Sequence, residues 1–178
     1  MVNKGFRNKG INSIAYKLKN YSFKIPIGIS IGQTNTDIFS QSQAVNDIIT
    51  AFKKAESGNL KTKYYELNIS CPNLNSRVTF YDPIKLYDLL KKLKKLNIKK
   101  PIFIKMPIDK SDKEILLMLN VIIKNKIDGV IFGNLQKNRK NKELDKKEIA
   151  KYPVGNFSGK PTFEDSNHLI ELTYRSYK

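Results

Sequence analysis

Residues 64–73 read YYELNISCPN, in which YYELNIS (64–70) is a short run of aromatic and aliphatic side chains that turns polar at its carboxyl end just before Cys71 and a proline. A run of this length, closed by a turn signal, has the dimensions of a buried parallel strand. Asn68 interrupts its apolar character. Cys71, the only cysteine of the chain, follows in the loop between Asn68 and Asn73. Three stretches of the same kind lie on either side: IPIGISIG (25–32), PIFIKM (101–106) and DGVIFGN (128–134).

Helical patterns separate these runs. TDIFSQSQAVNDIITAFKKAES (36–57) has apolar residues spaced for one face, a cap expected at Thr36 or Asp37, and Gly58 as a stop. The leucines at 86, 89, 90, 93 and 96 follow helical spacing after Asp82-Pro83, a cap followed by proline at the first helical position. Ser111 and Glu114 form a capping box that opens a helix to about Asn125. A polar segment (135–152) and a last helical stretch from near Pro161 complete the order. Strands alternating with helices predict β-α-β units and a parallel sheet. Four such units suit an open doubly wound sheet or part of an eight-stranded β/α barrel. Polar residues gather at the strand ends, at Ser30, Asn68, Lys105 and Asn134, and such ends converge on one mouth in a barrel. No G-x-G-x-x-G or P-loop follows a strand, so we expect an α/β chain forming a partial TIM barrel, with residues 1–178 as one domain.

The formal charge is +17, yet the lysines are scattered through every segment. Their run at 85–100 reads as the solvated face of a helix, and with no recognition motif no nucleic-acid partner is expected. No apolar stretch approaches the roughly 20 residues of a membrane span, and no secretory signal pattern opens the sequence. A cytoplasmic location is the expectation.

Lys105 stands inside IFIKMP, where burial predicts an apolar side chain. A functional cation and a lysine snorkelling from an edge strand are both open. Asn68 and Asn134 read as hydrogen-bonding strand-end amides or as satisfied structural ones. Cys71 reads as a small buried hydrophobe or as a general base or nucleophile in a loop. The single histidine, His168, lies in the distal helix, and nothing in the sequence orients it toward Cys71 as a hydrolase would require. One Cys and one His are too few for a metal site.

ELNISCPN, PIFIKMPID, DGVIFGN and FSGKP, in this order and spacing, resemble the central part of dihydroorotate dehydrogenase. The resemblance implies a barrel that holds FMN and oxidises dihydroorotate to orotate in pyrimidine (UMP) biosynthesis. GFRNKGINSIAYKLKN (5–20) and SGKP resemble the membrane-associated, quinone-using class 2 enzymes, whereas a cysteine base is a class 1 feature. Residue by residue, Cys71 matches the base that removes the C5 proton while hydride leaves C6 for flavin N5. Asn68, Asn73 and Asn134 match pyrimidine-binding amides. Ser30, Asn68, Lys105, Gly133 and Gly159 match positions along the cofactor, Lys105 as the cation against the flavin ring.

The match departs from the family at Ser30, usually asparagine, at Gly133, usually threonine, and at Val2, where a substrate-binding asparagine stands one place from Asn3. The resemblance covers only the third to sixth of eight strands, without the phosphate-binding end of the barrel. It therefore implies a piece inactive by itself, completed by another chain or by a homo-oligomer, with peripheral attachment at the inner face of the cell membrane in a full-length parent. A non-catalytic fragment, or a basic binding module retaining the half-barrel, is the alternative.

Overall fold

The structure is a computed structural model that describes residues 1–178 except Ile38 and Ser76. Four parallel strands, β1 (Gly28–Ile31), β2 (Tyr64–Asn68), β3 (Ile102–Met106) and β4 (Gly129–Phe132), pair in the order β1-β2-β3-β4. A doubly wound sheet reverses its strand order at a switch point, and this order never reverses. Same-handed crossovers between sequential neighbours place the helices in one row on one face, which is the arrangement of a β/α barrel.

The helices form that row. α1 (Gly10–Lys19) packs against α2 (Gln41–Ser57), and α3 (Pro83–Lys94) touches both α2 and α4 (Asp112–Lys124). A short helix, α5 (Lys146–Lys151), precedes α6 (Phe163–Ser176), which closes the row against α4 and β4. The period-2 alternation of the strands sorts their side chains. Ile29, Ile31, Tyr65, Leu67, Ile104 and Met106 are buried in one core with Ile48, Phe52, Leu86, Leu90, Ile115 and Leu119 of the helices. Ser30, Tyr64, Glu66, Phe103 and Lys105 occupy the opposite, inner face. There the Tyr64 and Phe103 rings meet edge to face, 5.6 Å between centroids. Glycine makes room for them on both sides: a Cβ would lie 2.1 Å from the Tyr64 ring at Gly28 and 2.9 Å from the Phe103 ring at Gly129.

The Asp82 cap accepts from the Ile84 and Lys85 amides, and the Ser111–Glu114 capping box is complete. The start of α2 differs from the expectation. Its cap is Ser40, whose side chain accepts from the Gln43 amide while Gln43 returns a bond to the Ser40 backbone. The Asp47 carboxylate accepts the Thr34 amide at 2.7 Å, which ties the preceding segment down as a loop. Ile38, which the expected helix also covered, lies outside the described residues. Gly58 does cap the helix, but with φ of −70°, and the left-handed turn falls on Asn59, φ 47°. Two helices were not expected. α5 has only six residues and shows no apolar stripe in the sequence, whereas α1 carries Ile11, Ile14, Ala15 and Leu18 at helical spacing and packs Ile11, Ala15 and Leu18 against the core without burying any of them fully.

Leu90 is fully buried between helices and sheet, whereas Ile84 on the same helix is 73% exposed. We predict that Leu90→Ala lowers unfolding free energy by about 2–5 kcal/mol and Ile84→Ala by less than about 0.5 kcal/mol, measured by urea denaturation.

Candidate active site

The carboxyl ends of β2, β3 and β4 bring most of the expected residues into one neighbourhood. Parallel pairing sets Asn68 opposite Lys105 and Lys105 opposite Ile131, so β3 projects its cation beside the β2 amide. Asn68 is 8% exposed, and its Oδ1 accepts from the Ser70 amide at 3.2 Å. Its Nδ2 has no partner among the described residues. Asn134, 7% exposed, donates through Nδ2 to the carbonyl of the same Ser70 and accepts the Leu135 amide at 2.8 Å. Ser70 thus joins the ends of β2 and β4.

Cys71 follows Ser70 directly and is half-buried as a free thiol. Lys105 and Tyr81 both lie within its electrostatic reach. Burial pushes the Lys105 ammonium below its ordinary pKa, while Glu66 and then Cys71 pull it back up. Burial, reinforced by Asp109 and Cys71, pushes the Tyr81 phenol up to about 12, so it stays a neutral hydroxyl near the thiol. Asp109 is held by Lys137 at 2.7 Å, a bridge between the loops that follow β3 and β4.

Asn73 has a different environment. Its Nδ2 donates to the Lys4 carbonyl at 3.2 Å, and its Oδ1 accepts from Asn156 Nδ2 at 2.7 Å. Val2 and Asn156 pair reciprocally through their backbones at 2.7 and 2.8 Å. The amino-terminal segment is thereby pinned against the loop carrying Cys71.

Ser30, on β1, donates to Glu66 Oε1 at 2.6 Å, and Gly133 and Gly159 are both exposed. A Cβ at Gly133 meets only Ile131 at 3.7 Å, so a larger side chain fits there. Gly159 has φ 82° and ψ −141°, a conformation reserved for glycine, where the chain enters the turn before α6. His168 is not brought to Cys71. Its Nε2 pairs with Asp112 Oδ1 at 2.8 Å on the outer helices. Among the described residues no group of acidic, His and Cys side chains could hold a metal ion. A groove along the β1 edge, lined by residues of α1, β1 and α2, includes Ser30 and not Cys71.

Across residues 1–178 the chain matches the family model for dihydroorotate dehydrogenase. The chain belongs to the dihydroorotate dehydrogenase family. Among curated relatives, the dihydroorotate dehydrogenase (quinone) of Buchnera aphidicola subsp. Schizaphis graminum is 33% identical, covering 98% of this chain and 52% of the relative. That of Idiomarina loihiensis is 30% identical over 94% of this chain and 50% of the relative. The crystal structure of a ligand-free DHODH from Eimeria tenella superposes with a TM-score of 0.73 at 17% identity, over 93% of this chain and 49% of that one. A second Eimeria tenella structure, in complex with ferulenol, gives 0.71 at 19% identity. These likenesses establish the fold as part of a TIM barrel. The chain spans about half the length of the relatives that it matches. Among the described residues no helix is long and apolar enough to cross a membrane.

Sequence reasoning missed Glu66, Ser70, Tyr81 and Asn156. Glu66 was the legible one, an acidic residue at an alternating position of a strand that is otherwise apolar or amide-bearing.

The two glycines give a direct comparison. Gly159→Ala is expected to cost about 1–3 kcal/mol for its backbone conformation, and Gly133→Thr less than about 1 kcal/mol. Urea midpoints of the two variants check this.

Proposed function

We propose that this chain forms the proton-abstracting and pyrimidine-holding part of a dihydroorotate dehydrogenase site, within one catalytic domain. The observation that carries the reading is the grouping of Asn68, Cys71, Lys105 and Asn134 at the ends of three adjacent strands, with Ser70 between the two amides.

In this reading the Cys71 thiolate takes the proton from C5 of dihydroorotate. A positioned general base of this kind contributes about 10²–10⁴-fold to a rate. Asn68, Asn73 and Asn134 hold the ring by its carbonyl and imide groups, which fixes C5 against the sulfur and lowers the entropic part of the barrier. The Ser70 bonds to Asn68 and Asn134 set the rotation of both amides before any ligand arrives. Tyr81, kept neutral, offers a hydroxyl near the thiol without adding negative charge.

The residues also suit a flavin. Lys105 is a half-buried cation that makes no ion pair within 4.0 Å among the described residues, and an electron-rich ring edge would offset its burial. Asn68 presents an unpartnered amide beside it. FMN, once bound, would supply the acceptor for the hydride leaving C6. Lys105, Asn68, Ser30, Gly133 and Gly159 would hold it. The names of the curated relatives support quinone as the final electron acceptor. Because the chain spans about half of those relatives, the remaining cofactor contacts belong to a completing chain, a second copy, or further residues of a longer protein.

The test is a titration of the purified chain with FMN, followed by flavin fluorescence, then with orotate, and an anaerobic addition of dihydroorotate. Flavin bleaching on that addition is expected to fall by at least about 100-fold in Cys71→Ala, the low end for loss of a general base, with orotate binding retained. Bleaching that survives the substitution would remove Cys71 from the role of base. Absence of FMN binding would assign the chemistry to a larger assembly.

A further inference from the structure

We infer that Glu66 is a positioning residue for Lys105: anchored by Ser30 across the β1–β2 pair, its carboxylate faces the lysine as a diagonal neighbour on the inner face of the sheet. This rests on the reading of Lys105 as the cation under a flavin and adds to it the carboxylate that the cation faces.

The geometry begins with register. Ser30 lies opposite Glu66 on neighbouring parallel strands, and its hydroxyl donates to Glu66 Oε1 at 2.6 Å. On the other side of β2, Glu66 lies opposite Phe103, and Lys105 stands two residues farther along the same strand. Two residues is one full pleat, so Glu66 and Lys105 share the inner face as diagonal neighbours. Diagonal Cβ atoms are about 7–8 Å apart, a gap that two long side chains can narrow.

The surrounding elements leave few rivals for this pairing. Lys105 faces uncharged Ile131 as its register partner on β4, Glu66 on β2 and Cys71 in the loop after β2. Ser30, the inner-face residue of β1 at this level, carries no charge. Burial favours the neutral amine, and Glu66 is the stronger of the two influences opposing it. Glu66 itself makes no ion pair within 4.0 Å among the described residues, so its field is not spent on a closer cation. The Ser30 hydroxyl has its own part. A carboxylate that accepts a short hydrogen bond from the far side is oriented, with one oxygen fixed and the other turned to its surroundings.

The experiment uses the chain without flavin or orotate, so its failure and a failure of FMN binding are separate results. Lysines are pulse-labelled with an N-hydroxysuccinimide ester between about pH 7 and 10, and peptide mass spectrometry gives the labelling rate of each one. Only the neutral amine reacts. In Glu66→Gln the Lys105 rate at about pH 8 is expected to rise about fivefold, because loss of the nearby charge lowers the lysine pKa. Lys100, which pairs with Glu56 at 3.4 Å, serves as an internal reference and keeps its rate. Glu66→Asp, which preserves the charge, is expected to stay within about twofold of the parent chain. If all lysines of Glu66→Gln speed up together, that variant has unfolded, and the reciprocal variant decides. In Lys105→Met the Glu66 carboxyl midpoint, followed by carboxyl-carbon NMR, is expected to rise by about half a pH unit. An unchanged Lys105 rate in folded Glu66→Gln, or an unchanged Glu66 midpoint in Lys105→Met, would overturn the inference.

Discussion

The parallel ladder between β2 and β3 is the constraint on which the site depends. With Asn68 opposite Lys105, the amide and the cation stand side by side, and Leu67 and Ile104 turn into the core beneath them. A slip of one residue would send Lys105 into the helix layer and Ile104 out to the polar face. The cost of burying an unpaired ammonium among Leu90, Ile115 and Leu119 excludes that slip. The hydrophobic core therefore does more than stabilise the sheet: it selects the one register in which the polar residues meet.

Much of this was legible in the sequence, because strand alternation is a strong signal wherever one face is buried. Three of the four runs held within two residues of their expected limits, and the IPIGISIG run shortened by three residues at its start and one at its end. The caps at Asp82 and Ser111 were legible because each rests on a local hydrogen bond that needs no tertiary partner. The start of α2 was misplaced although Ser40 and Gln43 carry the same kind of local signal. Apolar residues upstream extended the helical pattern past the true cap. α5 was missed because it is short and buries little, and α1 was missed although Ile11, Ile14, Ala15 and Leu18 carry helical spacing.

The site was legible in part for a related reason. Asn68, Lys105 and Asn134 announce themselves as polar breaks in apolar strands. Asn73 was noticed, but not that its amide is engaged by Lys4 and Asn156, residues 69 and 83 positions away. Ser70 is a small residue whose importance lies in its backbone, since both its amide and its carbonyl serve the flanking asparagines. Contacts made through backbone groups leave no trace in residue type. Tyr81 likewise gains its place only when the loop after β2 folds back.

The Tyr64 and Phe103 rings, fitted between Gly28 and Gly129, have an electrical consequence. They pave the amino-terminal end of the inner face with low-dielectric side chains, while Ser30 near the carboxyl end of β1 is exposed. Field lines from the Lys105 ammonium spread poorly through such paving and emerge mainly at the carboxyl end. An anion approaching from there would sense the lysine at a longer range than its single charge in bulk solvent would allow. The two glycines, by admitting the rings, thus give the charged face a direction.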